Sequence, residues 1–168
     1  IAIIHNYFMI QPQKPANEED RIASVCKLKI LDTVHEERFD QITVKALEAF
    51  KVPISTISIV DSDREWYKSV KGLNVREAPR EISFCGHAIL QEDIMIVEDT
   101  LKDQRFYNNP MVVNHPHVRF YAGKSLYEKG TIQAVGVFCI KDIVPRVFTL
   151  EEIGIFLELA KQAEDEIN

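Results

Sequence analysis

At 168 residues, with 46% hydrophobic and 27% charged residues, the chain has the length and composition of one domain with a sizeable core. Its formal net charge of −6 argues against a nucleic-acid or anionic-membrane partner, since both need clustered Lys and Arg. Cys26, Cys85 and Cys139 are too few, and odd in number, for a disulfide framework, so a reducing, cytoplasmic setting is expected. No segment approaches the roughly 20 apolar residues of a membrane span.

The opening stretch IAIIHNYFMIQPQ lacks the basic first part and the small-residue cleavage site of a signal peptide. Ile1 is not a natural start, so Met9 is read as the native initiator and residues 1–8 as an upstream extension or cloning remnant. Residues 1–15 form a lead-in and residues 16–168 a single domain. Asn17 is placed to cap a first helix, whose apolar stripe is Ile22, Val25, Cys26 and Ile30. A second helix over about 36–50 carries Phe39, Ile42, Ala46 and Phe50 on one face and is stopped by Pro53. The β-branched run Ile54 to Val60 predicts a strand, Asp61-Ser62-Asp63 a turn, and residues 65–70 the returning strand of a hairpin. Residues 72–79 read as loop.

Ser83 is placed to cap a short helix reaching Leu90, and Ile94 to Glu98 reads as a short strand. Residues 101–117 are irregular, broken at Asn108-Asn109-Pro110 and His115-Pro116-His117. Val118 to Tyr127 and Ile132 to Ile140 predict a second hairpin, with Gly136 marking a bulge or a close approach. Thr149 and Glu152 form a capping box for the last helix. There Ile153, Phe156, Ala160, Ala163 and Ile167 make a heptad-like seam, open either to packing on the home sheet or to a dimer or signalling contact. These elements indicate an α+β domain with a central antiparallel sheet of about five or six strands.

Several residues carry possible chemistry. Cys85 and His87, in Ser83-Phe84-Cys85-Gly86-His87, can serve a structural helix start, line a pocket, or support thiol chemistry aided by the helix N-terminus. One Cys-x-His without a matching second pair gives no metal site. Neither is a catalytic set visible, because no third group orients the pair. His115 and His117 fit a solvated loop or a ligand lid. Arg119 suits a carboxylate or phosphate, or an internal ion pair with Asp99 or Asp142. Lys124 shares a strand face with Phe120, Ala122 and Leu126, and so either extends its ammonium to the edge or meets an anion. Trp66 is core or a stacking surface.

In order along the chain, the segments Lys29-Ile30-Leu31-Asp32-Thr33, Glu65-Trp66-Tyr67-Lys68-Ser69, Pro79-Arg80-Glu81-Ile82-Ser83-Phe84-Cys85, Val97-Glu98-Asp99-Thr100 and Arg119-Phe120-Tyr121-Ala122-Gly123 resemble a GAF domain. The likeness is to the branch found beside bacterial histidine kinases and diguanylate cyclases, and it covers roughly residues 16–160. It implies a sheet with helices on both faces and a pocket between the sheet and the irregular middle. It implies a sensor that passes the state of an unidentified small molecule to a partner domain or subunit, such as a kinase or cyclase output domain, or within a homodimer through the terminal helices. Gly86, Lys124 and Lys141 depart from the family pattern, which has alanine, a small or apolar residue, and an apolar residue there. The expected pocket residues are Trp66, Cys85, His87, Asp99, Phe106, Arg119, Tyr121 and Lys124. No bilin, cyclic-nucleotide or metal signature is found, so the cofactor stays unknown. Two alternatives remain: a stand-alone free methionine sulfoxide reductase using its cysteines, and a dimerisation module without a ligand.

Overall fold

Every residue of β1 (Ile54–Val60) and of β6 (Ala134–Asp142) is buried, so this antiparallel pair lies mid-sheet, covered on both faces. The structure is a computed structural model describing residues 9–168; the expectation about residues 1–8 lies outside them. The pairing runs from Ile54 opposite Lys141 to Ile59 opposite Gly136. A Cβ on Gly136 would overlap the Ser58 carbonyl oxygen, which makes this residue the predicted close approach. With β2 (Arg64–Lys71), β3 (Glu77–Pro79), β4 (Met95–Val97) and β5 (Phe120–Tyr127), the sheet has six antiparallel strands in the order β3-β2-β1-β6-β5-β4. The α+β class and the antiparallel sheet are as the sequence predicts. Residues 77–79, expected in a loop, instead form a short edge strand beside Arg64, Glu65 and Trp66, an edge position that tolerates Pro79.

One face carries α1 (Glu18–Leu28), α2 (Glu37–Phe50) and α5 (Leu150–Ile167) over a core that includes Phe39, Ile42, Phe50, Ile57, Phe138 and Phe156. Thr149 and Glu152 exchange both capping-box hydrogen bonds at the start of α5. The seam on α5 faces home: Phe156, Ala160, Ala163 and Ile167 are buried in this core and Ile153 packs against it, so these residues are not free for a second copy. The other face is covered by α3 (Phe84–Ala88), α4 (Pro110–Val113) and two short 3-10 turns at Arg80–Ile82 and Thr100–Lys102. α4, inside the stretch expected to be irregular, starts where Asn109 Oδ1 accepts from Met111 N at 2.9 Å, with Pro110 in the first turn. Among the described residues no helix is long and apolar enough to cross a membrane.

Asn17 does not cap α1; its amide donates to Gln133 Oε1 at 2.7 Å instead. α1 is fastened by Glu18, whose carboxylate accepts from Arg21 and from Arg80 of the 3-10 turn before α3. Arg21 is 1% exposed and also donates to the Val60 and Ala134 carbonyls of β1 and β6, at 2.6 and 3.3 Å. Burial alone would raise the Glu18 carboxyl; the two guanidiniums outweigh it and bring the pKa from 4.5 down to about 2. A carboxyl depressed in the folded state stabilises above its unfolded value, and that stability is lost as pH falls toward 2. In urea unfolding, Glu18→Gln is expected to cost about 2 kcal/mol at pH 7, discounted for the carboxylate's partial exposure, with the gap to wild type closing as pH falls from 4.5 to 2. Phe156→Glu, which places a charge in the helix-face core, is expected to abolish folded-state circular dichroism rather than dissociate a dimer.

Candidate functional site

Strand alternation sorts the side chains by face. The register pairs Thr56 with Cys139, Cys139 with Gly123, Lys141 with Tyr121 and Ser58 with Tyr67, placing these residues, and Glu65 two before Tyr67, on the short-helix face. Sequence reasoning missed Glu65 and Tyr67, although a period of two sets both opposite Trp66. Lys141 was visible as a charge within an apolar strand.

Ser83 caps α3 as expected, its Oγ accepting from Gly86 N at 2.9 Å while its hydroxyl donates to Glu65 Oε2 at 2.7 Å. That cap aims Phe84 and Cys85 down onto the sheet. The Phe84 ring stacks between Phe106 (4.1 Å) and Tyr121 (5.1 Å), and Cys85 Sγ lies 3.2 Å from Tyr121 OH. Thr56 Oγ1 lies 3.0 Å from Cys139 Sγ, and both thiols are fully buried. The Tyr121 ring folds back over Gly123, where any Cβ would overlap it. Burial pushes the Cys85 thiol and the Tyr67 and Tyr121 phenols well above their ordinary values. The structure thus removes the activated thiolate that a helix start could have supplied at Cys85.

Of the eight expected pocket residues, Cys85, His87, Phe106 and Tyr121 come together. His87 meets the Phe106 ring edge at 5.0 Å, but its Nε2 turns outward to the Ile10 carbonyl at 3.3 Å and does not serve Cys85. Burial lowers its pKa. Pro12 of the same lead-in packs on α3 at Gly86, where a Cβ would come within 2.8 Å of it, so this contact favours glycine there.

The other four fall elsewhere. Trp66 is 3% exposed and belongs to the helix-face core, so it does not line this site. Lys124 extends to the sheet edge, where Nζ donates to the Glu92 carbonyl at 2.7 Å and sits 5.2 Å from the Tyr127 ring centre. Arg119 forms the internal ion pair with Asp99, at 3.1 Å, and Asp99 lines a separate cleft with Lys102, Asp103 and Arg146. His115 and His117 are exposed. Among the described residues no group of three or more His, Cys, Asp or Glu side chains could hold a metal ion. A surface cleft of about 450 Å³ lined by Arg21, Ile89, Leu90, Tyr127, Ile132 and Ala134 opens beside the site, and Ile89 and Ala134 also belong to the short-helix core.

A family model described as GAF domain matches residues 35–167. A cyclic di-GMP phosphodiesterase of Pseudomonas aeruginosa is 38% identical over 138 residues; the match covers 82% of this chain and 23% of that protein, so the chain spans under a quarter of that relative's length. The GAF domain of an Acinetobacter phosphoenolpyruvate-protein phosphotransferase superimposes with a TM-score of 0.63 at 19% identity, covering 88% of this chain and 92% of that one. The type II free methionine-R-sulfoxide reductase of Thermoplasma acidophilum gives 0.62 at 13% identity, covering 76% and 88%. At these identities the two structural matches show the fold alone.

Gly123→Ala is expected to dislodge the Tyr121 ring and destabilise the fold by about 1–3 kcal/mol, the usual range for overpacking. Urea denaturation measures the loss, and a changed near-ultraviolet circular dichroism spectrum would report the displaced ring.

Proposed function

The chain belongs to the GAF family, and from that premise we propose that it is a regulatory domain that senses a small molecule on the short-helix face of its sheet and passes the result to a partner domain or subunit. One observation carries this reading. The face opposite the long helices holds a buried polar group, Thr56, Glu65, Tyr67, Ser83, Cys85, Cys139 and Lys141, beneath a roof of helices only five and four residues long. Short elements open at lower cost than long amphipathic helices, which suits a ligand site.

The roof has a physical link to the domain's first helix. Arg80, in the turn before α3, is held by Glu18 of α1, and Arg21 of α1 is bonded to β1 and β6. Displacement of α3 by a ligand therefore reaches α1 through a partly buried ion pair, and a ligand that favours one arrangement biases what a neighbouring domain reads. Residues 16–168 act as the domain, because Val25 and Ile30 of the α1 region belong to its core although they precede the family match. A surface of α5 open to a second copy carries Leu150, Ile155 and Leu157 rather than the seam residues. The output partner is a kinase, cyclase or phosphodiesterase module in cytoplasmic signalling, and the curated relative's name supports a cyclic-di-GMP setting.

This chain itself works without catalysis. Its candidate nucleophile Cys85 is buried with a raised pKa, and the nearby His87 faces the lead-in, so the methionine sulfoxide reductase alternative lacks support. Thermal-shift screening against a metabolite library is expected to find a ligand that raises Tm by several degrees at saturation. Thioredoxin-coupled turnover of free methionine sulfoxide is expected to stay at background. Silence of the whole library would contradict sensing; turnover that disappears in Cys85→Ser would establish the enzyme instead.

A further inference from the structure

On the strands of the short-helix face, Glu65 Oε1, Tyr67 OH and Lys141 Nζ are buried without a hydrogen-bond partner among the described residues. Tyr67 and Lys141 are 0% exposed, as is Glu65. A buried polar atom left unpaired is costly, and a buried charge more so. The neighbouring residues show that the sequence had cheaper choices. Lys141 stands in β6 among Phe138, Cys139 and Ile140, where an apolar side chain would carry no such penalty.

The arrangement also fixes which groups are on offer. Ser83 occupies one oxygen of Glu65 and is itself held by the α3 cap, so Oε1 is the oxygen left open. Lys141 Nζ lies 5.8 Å from the centre of the Phe84 ring in the roof. Lys141 is buried near the Cys139 thiol first and then near Glu65 and Cys85, and its Nζ joins none of them in a hydrogen bond. The site therefore presents a cation, an anion and a phenol that both donates and accepts, with no net charge between the first two.

Resting on the sensing reading above, we propose that Glu65, Tyr67 and Lys141 recognise a small zwitterion of the α-amino-acid class. Its carboxylate meets Lys141 Nζ, its ammonium meets Glu65 Oε1, and Tyr67 OH completes the carboxylate's hydrogen bonding. Charge balance selects this class. A monoanion would satisfy Lys141 and leave the Glu65 carboxylate facing added negative charge; a monocation would do the reverse. A zwitterion pairs both and keeps the buried site neutral. The stack of Phe84, Phe106 and Tyr121 and the other apolar side chains of this cluster crowd the face, which favours a ligand with a short side chain.

The test is thermal shift with glycine, L-alanine, L-serine and L-proline, set against ethylamine and propionate as single-ended counterparts, on wild type, Lys141→Met and Glu65→Gln. At least one amino acid is expected to raise the wild-type Tm by roughly 5 °C at a hundredfold excess over its Kd. Ethylamine and propionate are expected to bind at least tenfold more weakly, and both variants to lose the response. Lys141→Met keeps the length of the side chain and removes a buried charge, so it is expected to fold, as far-ultraviolet circular dichroism will show. Propionate matching L-alanine, an undiminished response in Lys141→Met, or no shift from any of the four amino acids would each overturn the proposal. A shift from a non-zwitterionic metabolite in the wider library would leave the sensing role standing while this assignment falls.

Discussion

The constraint on which the rest depends is burial of β1 and β6 on both faces at once. A strand in that position sends alternate side chains to two different environments. On the helix face Ile57, Ile59, Phe138 and Ile140 meet α2 and α5 and form an ordinary apolar core. On the other face Thr56, Ser58, Cys139 and Lys141 meet no long helix at all. The sheet is thus sealed on one side by long helices and on the other by short pieces of chain that pack a second apolar cluster and are held at a few polar points.

Those polar points tie the roof to the sheet and to the first helix. Ser83 serves the α3 cap and one oxygen of Glu65 together, so the carboxylate is held in place. Arg80 joins the same roof to Glu18 on the opposite layer. Pro12 rests on Gly86, and His87 bonds the Ile10 carbonyl, so the lead-in also lies on α3. The roof element α3 is therefore tied both to the first helix and to the segment before it.

Much of the fold was legible because its signals are local. The β-branched run 54–60, the Thr149 capping box and the apolar face of α2 each declare an element within a few residues. The site was less so, because which face a strand residue takes depends on distant partners. Trp66 reads as a pocket aromatic until the β1 register and the helix core place it on the other side. The α5 seam has the spacing of an interface, and only its packing on the sheet shows that the partner is internal. Asn17 has a capping residue's identity but bonds Gln133, 116 residues away. Lys141 was the exception: a charge in an apolar strand is a local oddity, and it marks the part of the site that packing alone does not explain.

The central claim, that ligand binding occurs on the short-helix face, is tested most directly by amide hydrogen exchange with and without the metabolite that stabilises the fold. The account predicts slowed exchange in residues 83–88 and 134–142, with little change in α2. Protection confined to the separate cleft at residues 96–103, with α3 unaltered, would contradict it.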